Sequence, residues 1–174
     1  VNVEPISLLA TQIVSGTNYA FLCYGAPVVP NPQHTYSIVK IYVDLEGKAS
    51  IEDVQDIDVS AYTSGDSNIP EGMAGSWQAS TEEFEPALNK GAEAFQKATD
   101  GYTGVSFKPY VCLATQIVSG TNYMFFCQAQ SVTADPVVYN AIVTVYENLE
   151  GKAEITSVVP FDVANIQAIP QVQD

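Results

Sequence analysis

The sequence predicts an α+β fold, an antiparallel sheet wrapped on one helix, present as two copies of which the first lacks the helix. Three observations lead there. A ten-residue segment recurs unchanged 104 residues downstream, apolar and aromatic runs carry the two-residue period of strands, and one segment between the copies has helical period.

Ala10-Thr11-Gln12-Ile13-Val14-Ser15-Gly16-Thr17-Asn18-Tyr19 returns as Ala114 to Tyr123, and the offset then holds without a gap. It carries Phe21 to Phe125, Cys23 to Cys127, Tyr42 to Tyr146, and Leu45-Glu46-Gly47-Lys48-Ala49 to Leu149-Glu150-Gly151-Lys152-Ala153. About half of the positions between Leu9 and Val59 equal their counterparts, so two copies of one module are expected rather than one large sheet. The expected boundaries are 1–63 for the first copy, 64–79 for a connecting stretch and 80–174 for the second copy.

Tyr19 to Cys23 and Tyr36 to Val43 in the first copy, and Tyr123 to Cys127 and Tyr139 to Tyr146 in the second, have strand composition. Val39, Ile41 and Val43 alternate with Lys40, Tyr42 and Asp44, the pattern of a sheet with one face wet. Glu46-Gly47-Lys48 and Glu150-Gly151-Lys152 supply turns into Ala49 to Val54 and Ala153 to Val159, which predicts an antiparallel meander. Thr63 to Ala79, rich in Ser, Gly, Asp, Asn and Pro, has the composition of an extended linker. Phe84, Leu88, Gly91, Phe95 and Ala98 then fall on one helical face. Ser80 and Glu83 are candidates for its cap. Pro86 must stay in the first turn, so the helix is expected to begin near Glu82 to Glu85, and Gly101 and Gly104 to end it.

The chain has 174 residues, 47% of them apolar, enough for a packed core. Six basic against twenty acidic residues leave a net charge of -14, which repels nucleic acid and anionic bilayers alike. A single histidine, His34, and three cysteines without zinc-finger spacing argue against an enzyme, a metal or a cofactor. The start, Val1-Asn2-Val3-Glu4-Pro5, carries no intact secretory signal, and no apolar run reaches bilayer length.

The second copy reads as extended glycine-bearing segment, helix, strand, Gln-Ile-Val-Ser-Gly turn, strand, long connection, strand, Leu-Glu-Gly turn and strand. In that order it resembles the cystatin family, the stefin branch most closely. Gln116-Ile117-Val118-Ser119-Gly120-Thr121-Asn122-Tyr123 matches the family's Gln-x-Val-x-Gly loop with the Thr-Asn-Tyr that follows it in stefins. Tyr146-Glu147-Asn148-Leu149-Glu150-Gly151 looks like the strand and Leu-Pro-Gly second loop, and Ile69-Pro70-Glu71-Gly72-Met73-Ala74-Gly75 like the glycine trunk ahead of the helix. The resemblance covers Ile69 to Val163, and the first copy repeats it from about Leu8 to Val59.

The resemblance implies a reversible inhibitor of papain-like cysteine proteases, in which trunk and two hairpin loops enter the substrate cleft and cover the catalytic cysteine without reacting. The implied contact residues are Gln116, Ile117, Val118, Ser119 and Gly120, Leu149, Glu150 and Gly151, and Gly72 and Gly75 of the trunk. In the first copy they are Gln12, Ile13, Val14, Ser15 and Gly16, with Leu45 and Gly47. Glu150 stands where stefins have proline and Glu71 charges the trunk, and a carboxylate entering a cleft must keep water or find a cation. The rival reading is a secreted or surface interaction module that keeps the scaffold and binds something other than a protease.

Only eleven residues precede Gln12, so the first copy has neither trunk nor helix and is expected to be the weaker site. Its sheet is expected to expose an apolar face, either because the chain starts inside a module or because a helix or strand swapped from another copy covers it. Cys23 and Cys127 read as buried thiols. Folding the hairpin places Cys112 roughly opposite Cys127, which leaves a cross-strand disulfide and free thiols both open. His34 reads as a solvated loop residue, and Trp77 either packs on the module or lines its protease-facing edge.

Overall fold

The computed structural model describes residues 2–26, 30, 35–63, 75–79 and 84–163. Among them, nine antiparallel strands in two sheets and one α-helix make an α+β fold. The chain divides into two compact units, Val1–Ile57 with Asp162–Asp174, and Asp58–Phe161, and each holds one sheet, as suits a tandem arrangement.

The first unit is a meander of β1 (Asn2–Val14), β2 (Gly16–Ala26), β3 (Thr35–Val43) and β4 (Ala49–Asp56), in the order β1-β2-β3-β4. The second starts with a short 3-10 turn, Val59–Tyr62, whose first amides are met by Asp58: its carboxylate accepts from the Ser60 amide at 2.9 Å. It continues with β5 (Trp77–Ala79), α1 (Phe84–Thr99), β6 (Val105–Val118), β7 (Gly120–Ser131), β8 (Val138–Glu147) and β9 (Ala153–Phe161), in sheet order β5-β6-β7-β8-β9.

The repeat extends to pairing register. Leu8, Phe21, Val39 and Val54 form one cross-strand row, and Cys112, Phe125, Val143 and Val158 form the same row 104 positions on. Bulges fall at matching places, between Pro5 and Ser7 and between Leu8 and Ala10 in β1, and between Pro109 and Val111 and between Cys112 and Ala114 in β6. A proline without an N–H interrupts the ladder at that point, and the bulges bend and twist the long strands.

In the second unit α1 buries Gly91, Phe95 and Ala98, the later part of the expected face, together with Ala94, against Cys112, Phe125, Cys127, Val143 and Val145. Phe95 meets Phe125 edge-on, with ring centroids 4.9 Å apart. Gly91 lets the helix approach closely, since a Cβ there would lie 2.6 Å from the Phe125 ring and 2.9 Å from that of Tyr123. Pro86 is the third helical residue, where its missing N–H costs no intrahelical bond. After Thr99 the chain turns through Gly101 at φ +73°.

Three expectations change. Trp77–Ala79 pairs with β6 as a strand, Trp77 beside Gln116 and Ala79 beside Ala114, although its surroundings have linker composition. Three residues are too short to show a period. The sheets are not wet on one face throughout: Met124, Phe125, Phe126 and Cys127 are all fully buried in succession, and Tyr36 to Val39 are buried together. An unbroken apolar run is how a doubly covered strand reads, and Phe161 packs on Phe126 on the face turned away from α1, centroids 5.1 Å apart. Cys112 stands opposite Phe125 and Pro109 opposite Cys127: the turn alone would set Cys112 opposite Phe126, and the bulge between Cys112 and Ala114 slips it one residue farther from Cys127. None of the three cysteines forms a disulfide, and all three are buried. The first sheet is partly open, with Leu8, Ile51 and Val54 exposed while Cys23 and Val39 are buried. Ser80, Glu83, His34 and residues 64–74, Gly72 among them, lie outside the described residues.

Candidate functional site

The β6–β7 hairpin reverses over one residue. Val118 pairs with Gly120, leaving Ser119 at the tip, and Gly120 takes φ +116°, a region other residues avoid. A Cβ on Gly120 would run into the Glu147 carbonyl and the Tyr146 ring, and the Tyr146 hydroxyl donates to the Ser119 carbonyl. The glycine therefore seats the tip on β8. Gly16 does the same in the first unit at φ +113°, with the Tyr42 hydroxyl donating to the Ser15 carbonyl.

The second turn lies at the same end of the sheet, because Thr121 pairs with Glu147, the last residue of β8. Asn148 builds it: its side-chain oxygen accepts from the Glu150 and Lys152 amides at 2.9 and 3.0 Å, and Gly151 follows at φ +79°. Asp44 repeats this in the first unit, accepting from the Glu46 and Lys48 amides at 3.0 and 2.8 Å. Lys97 ties the helix to this end, 2.9 Å from Glu93 and 3.3 Å from Glu147. Hydrogen bonding to Glu93 leads the effects that hold its ammonium above the ordinary lysine range.

Gln116 brings the trunk in. Its amide nitrogen donates to the Gly75 carbonyl at 2.8 Å, and its oxygen accepts from the Asn122 side chain at 2.8 Å. Gly75, Ile117 to Gly120 and Leu149 to Gly151 thus gather at one end of the five-stranded sheet. The side chains there divide by role. Ile117 is 73% and Leu149 83% exposed, whereas Gln116 is 9% exposed and bonds within the protein. In the first unit Ile13 and Leu45 are likewise 85% and 79% exposed. Gln12 there accepts from Asn18 at 3.2 Å but stands on an edge strand, with no described strand beside β1 in the place β5 takes.

Beside this edge, on the sheet face away from α1, a cavity of about 320 Å³ is lined by Trp77, Gln116, Asn122, Thr144, Tyr146 and neighbouring uncharged residues. Trp77 is half-buried and serves both packing and edge. No group of three His, Cys, Asp or Glu among the described residues is placed to hold a metal ion. Tyr146, Asn148 and Asn122 were not singled out from the sequence as site-forming residues. Tyr42 and Asn18 recurring unchanged as Tyr146 and Asn122 was the available signal.

No family model matches the chain, and neither does any curated protein. Among solved structures it is similar to an NTF2-like protein involved in plasmid conjugation, at 10% identity and a TM-score of 0.25, with 94% of this chain and 79% of that one covered. So slight a likeness carries no argument about fold or function.

Proposed function

We propose that the chain is a reversible inhibitor of papain-like cysteine proteases that plugs the substrate cleft with the Gly75 trunk, the Ile117 to Gly120 tip and the Leu149 to Gly151 turn. One observation carries the reading. Three separate segments meet at one sheet end, and two of them present large apolar side chains to water, Ile117 and Leu149, which an isolated domain gains nothing by exposing. The strand, helix and four-strand meander of the second unit, with the trunk strand on the edge, supports the cystatin resemblance.

The mechanism is occlusion. The hairpin is held by Tyr146 and the turn by Asn148, so both tips enter a cleft with little entropy left to lose. Burying each apolar tip supplies about 2 kcal/mol, equivalent to roughly thirtyfold in affinity. No group of the chain attacks the protease. The first unit offers Ile13 and Leu45 without a described trunk and contributes less.

Ile117→Asp and Leu149→Asp test this, since both positions are exposed and the fold does not depend on them. Each substitution should raise the inhibition constant against papain by about thirtyfold, and an unchanged constant would place the contact elsewhere. A second reading has one observation behind it. Glu150 sets an exposed carboxylate on the same edge, which suits a partner with a cation better than an apolar cleft. Under that reading the unaltered chain leaves papain fully active.

A further inference from the structure

We propose that the first sheet is a docking site for an amphipathic helix of the α1 kind carried by another polypeptide. The inference is independent of protease inhibition. In the second unit α1 rests on two cross-strand rows, Cys112-Phe125-Val143-Val158 and Tyr123-Val145-Ile155. The first unit holds the same rows in the same register as Leu8-Phe21-Val39-Val54 and Tyr19-Ile41-Ile51. The ring pair that receives Gly91, Tyr123 stacked with Phe125 at 6.2 Å and 28°, recurs as Tyr19 stacked with Phe21 at 6.2 Å and 25°. The seat is built, and no described helix occupies it.

Exposure shows which part is open. Cys112, Phe125 and Val145 are at most 1% exposed beneath α1, while Leu8 is 46% exposed and Phe21 and Ile41 are half-buried. On the edge strand Ile51 is 68% and Val54 52% exposed, where Ile155 and Val158 are partly buried against the helix-covered core. Farther along the sheet Cys23 and Ser37 are already buried, and so is Val39 in the middle of the first row, so the open part is Tyr19, Phe21 and Ile41 with Leu8, Ile51 and Val54, the stretch equivalent to the floor under Gly91. That equivalence defines the occupant. It is a helix with a small residue set on the Tyr19–Phe21 pair, an aromatic residue four positions later and alanines around them. Val43 replaces Glu147, so the ion pair with Lys97 has no counterpart, but Asp56, two residues beyond Val54 on the same face, sets a carboxylate at the rim, where it accepts from the Ser37 hydroxyl at 2.6 Å, and a lysine on the flank of the helix suits it.

The test uses a synthetic peptide of Phe84–Thr99, labelled for fluorescence anisotropy and titrated into the full chain. Saturable one-to-one binding is expected. It should weaken at least about tenfold with Ile51→Asp and Val54→Asp together, two exposed positions where a carboxylate would have to be desolvated beneath the helix. It should weaken likewise when the peptide carries Gly91→Leu, which collides with the ring pair. Circular dichroism of the double variant should match the parent. No binding, or binding indifferent to both changes, would overturn the proposal. Dimerisation of the chain that the Ile51→Asp and Val54→Asp pair abolishes would assign the face to a second copy and overturn it equally.

Discussion

Replacing Gln116 with alanine should release the trunk strand while leaving the rest of the second sheet folded. The side chain is 9% exposed and makes two hydrogen bonds of 2.8 Å, donating to the Gly75 carbonyl and accepting from Asn122. Truncation leaves both partners to find other partners or water. At about 1 kcal/mol for each bond, Gln116→Ala should cost about 2 kcal/mol. Gln12→Ala is the internal control: its exposed pair with Asn18 spans 3.2 Å and anchors no described trunk, so it should cost less than about 0.5 kcal/mol. Trp77 is the protein's single tryptophan and sits on β5 beside Gln116, so its fluorescence during urea unfolding reports the trunk directly. Equal costs at Gln116 and Gln12, or a Trp77 signal indifferent to Gln116→Ala, would refute the argument that this glutamine pins the trunk.

Gly91→Ala sets a gain in helix propensity of about 1 kcal/mol against a Cβ 2.6 Å from the Phe125 ring. The collision should win, with a net loss of about 1–2 kcal/mol in urea unfolding, and a stabilised variant would mean that the helix stands farther off. Burial pushes the Cys23 and Cys127 thiols up from their ordinary range, so the folded chain keeps them neutral. Unfolded cysteine ionises near about pH 8.5, so the stability tied to these thiols is fully present below that pH and falls as pH rises above it. Iodoacetamide at that pH should label neither thiol in the native chain and both after denaturation, and rapid native labelling would contradict their burial.

The repeat made most of the fold legible in the sequence, because a fixed offset of 104 aligns every strand of the first unit with one in the second. The helix was legible from its period, and the two turns from Gly47 and Gly151. Trp77–Ala79 was hidden because three residues show no period and their strand identity comes from Gln116, far away in sequence. Cys112 was misplaced because its partner depends on which residues close the turn and on a bulge before Ala114 that leaves no mark in composition. The site's tips were legible as motifs. What holds them was not: Asn148 fixes its turn through amides two and four residues on, and Tyr146 reaches a carbonyl 27 positions back. The inward bonds of Gln116 were not legible either: the motif's first residue, expected among the contacts, is 9% exposed and braces Gly75.

The most direct test of the central claim is an active-site titration of papain with the intact chain. Occlusion without chemistry predicts a linear loss of activity to an equivalence point, full recovery when the complex is diluted or displaced, and a chain recovered uncut. Undiminished activity at molar excess, or a chain cleaved between Ile117 and Gly120, would contradict it.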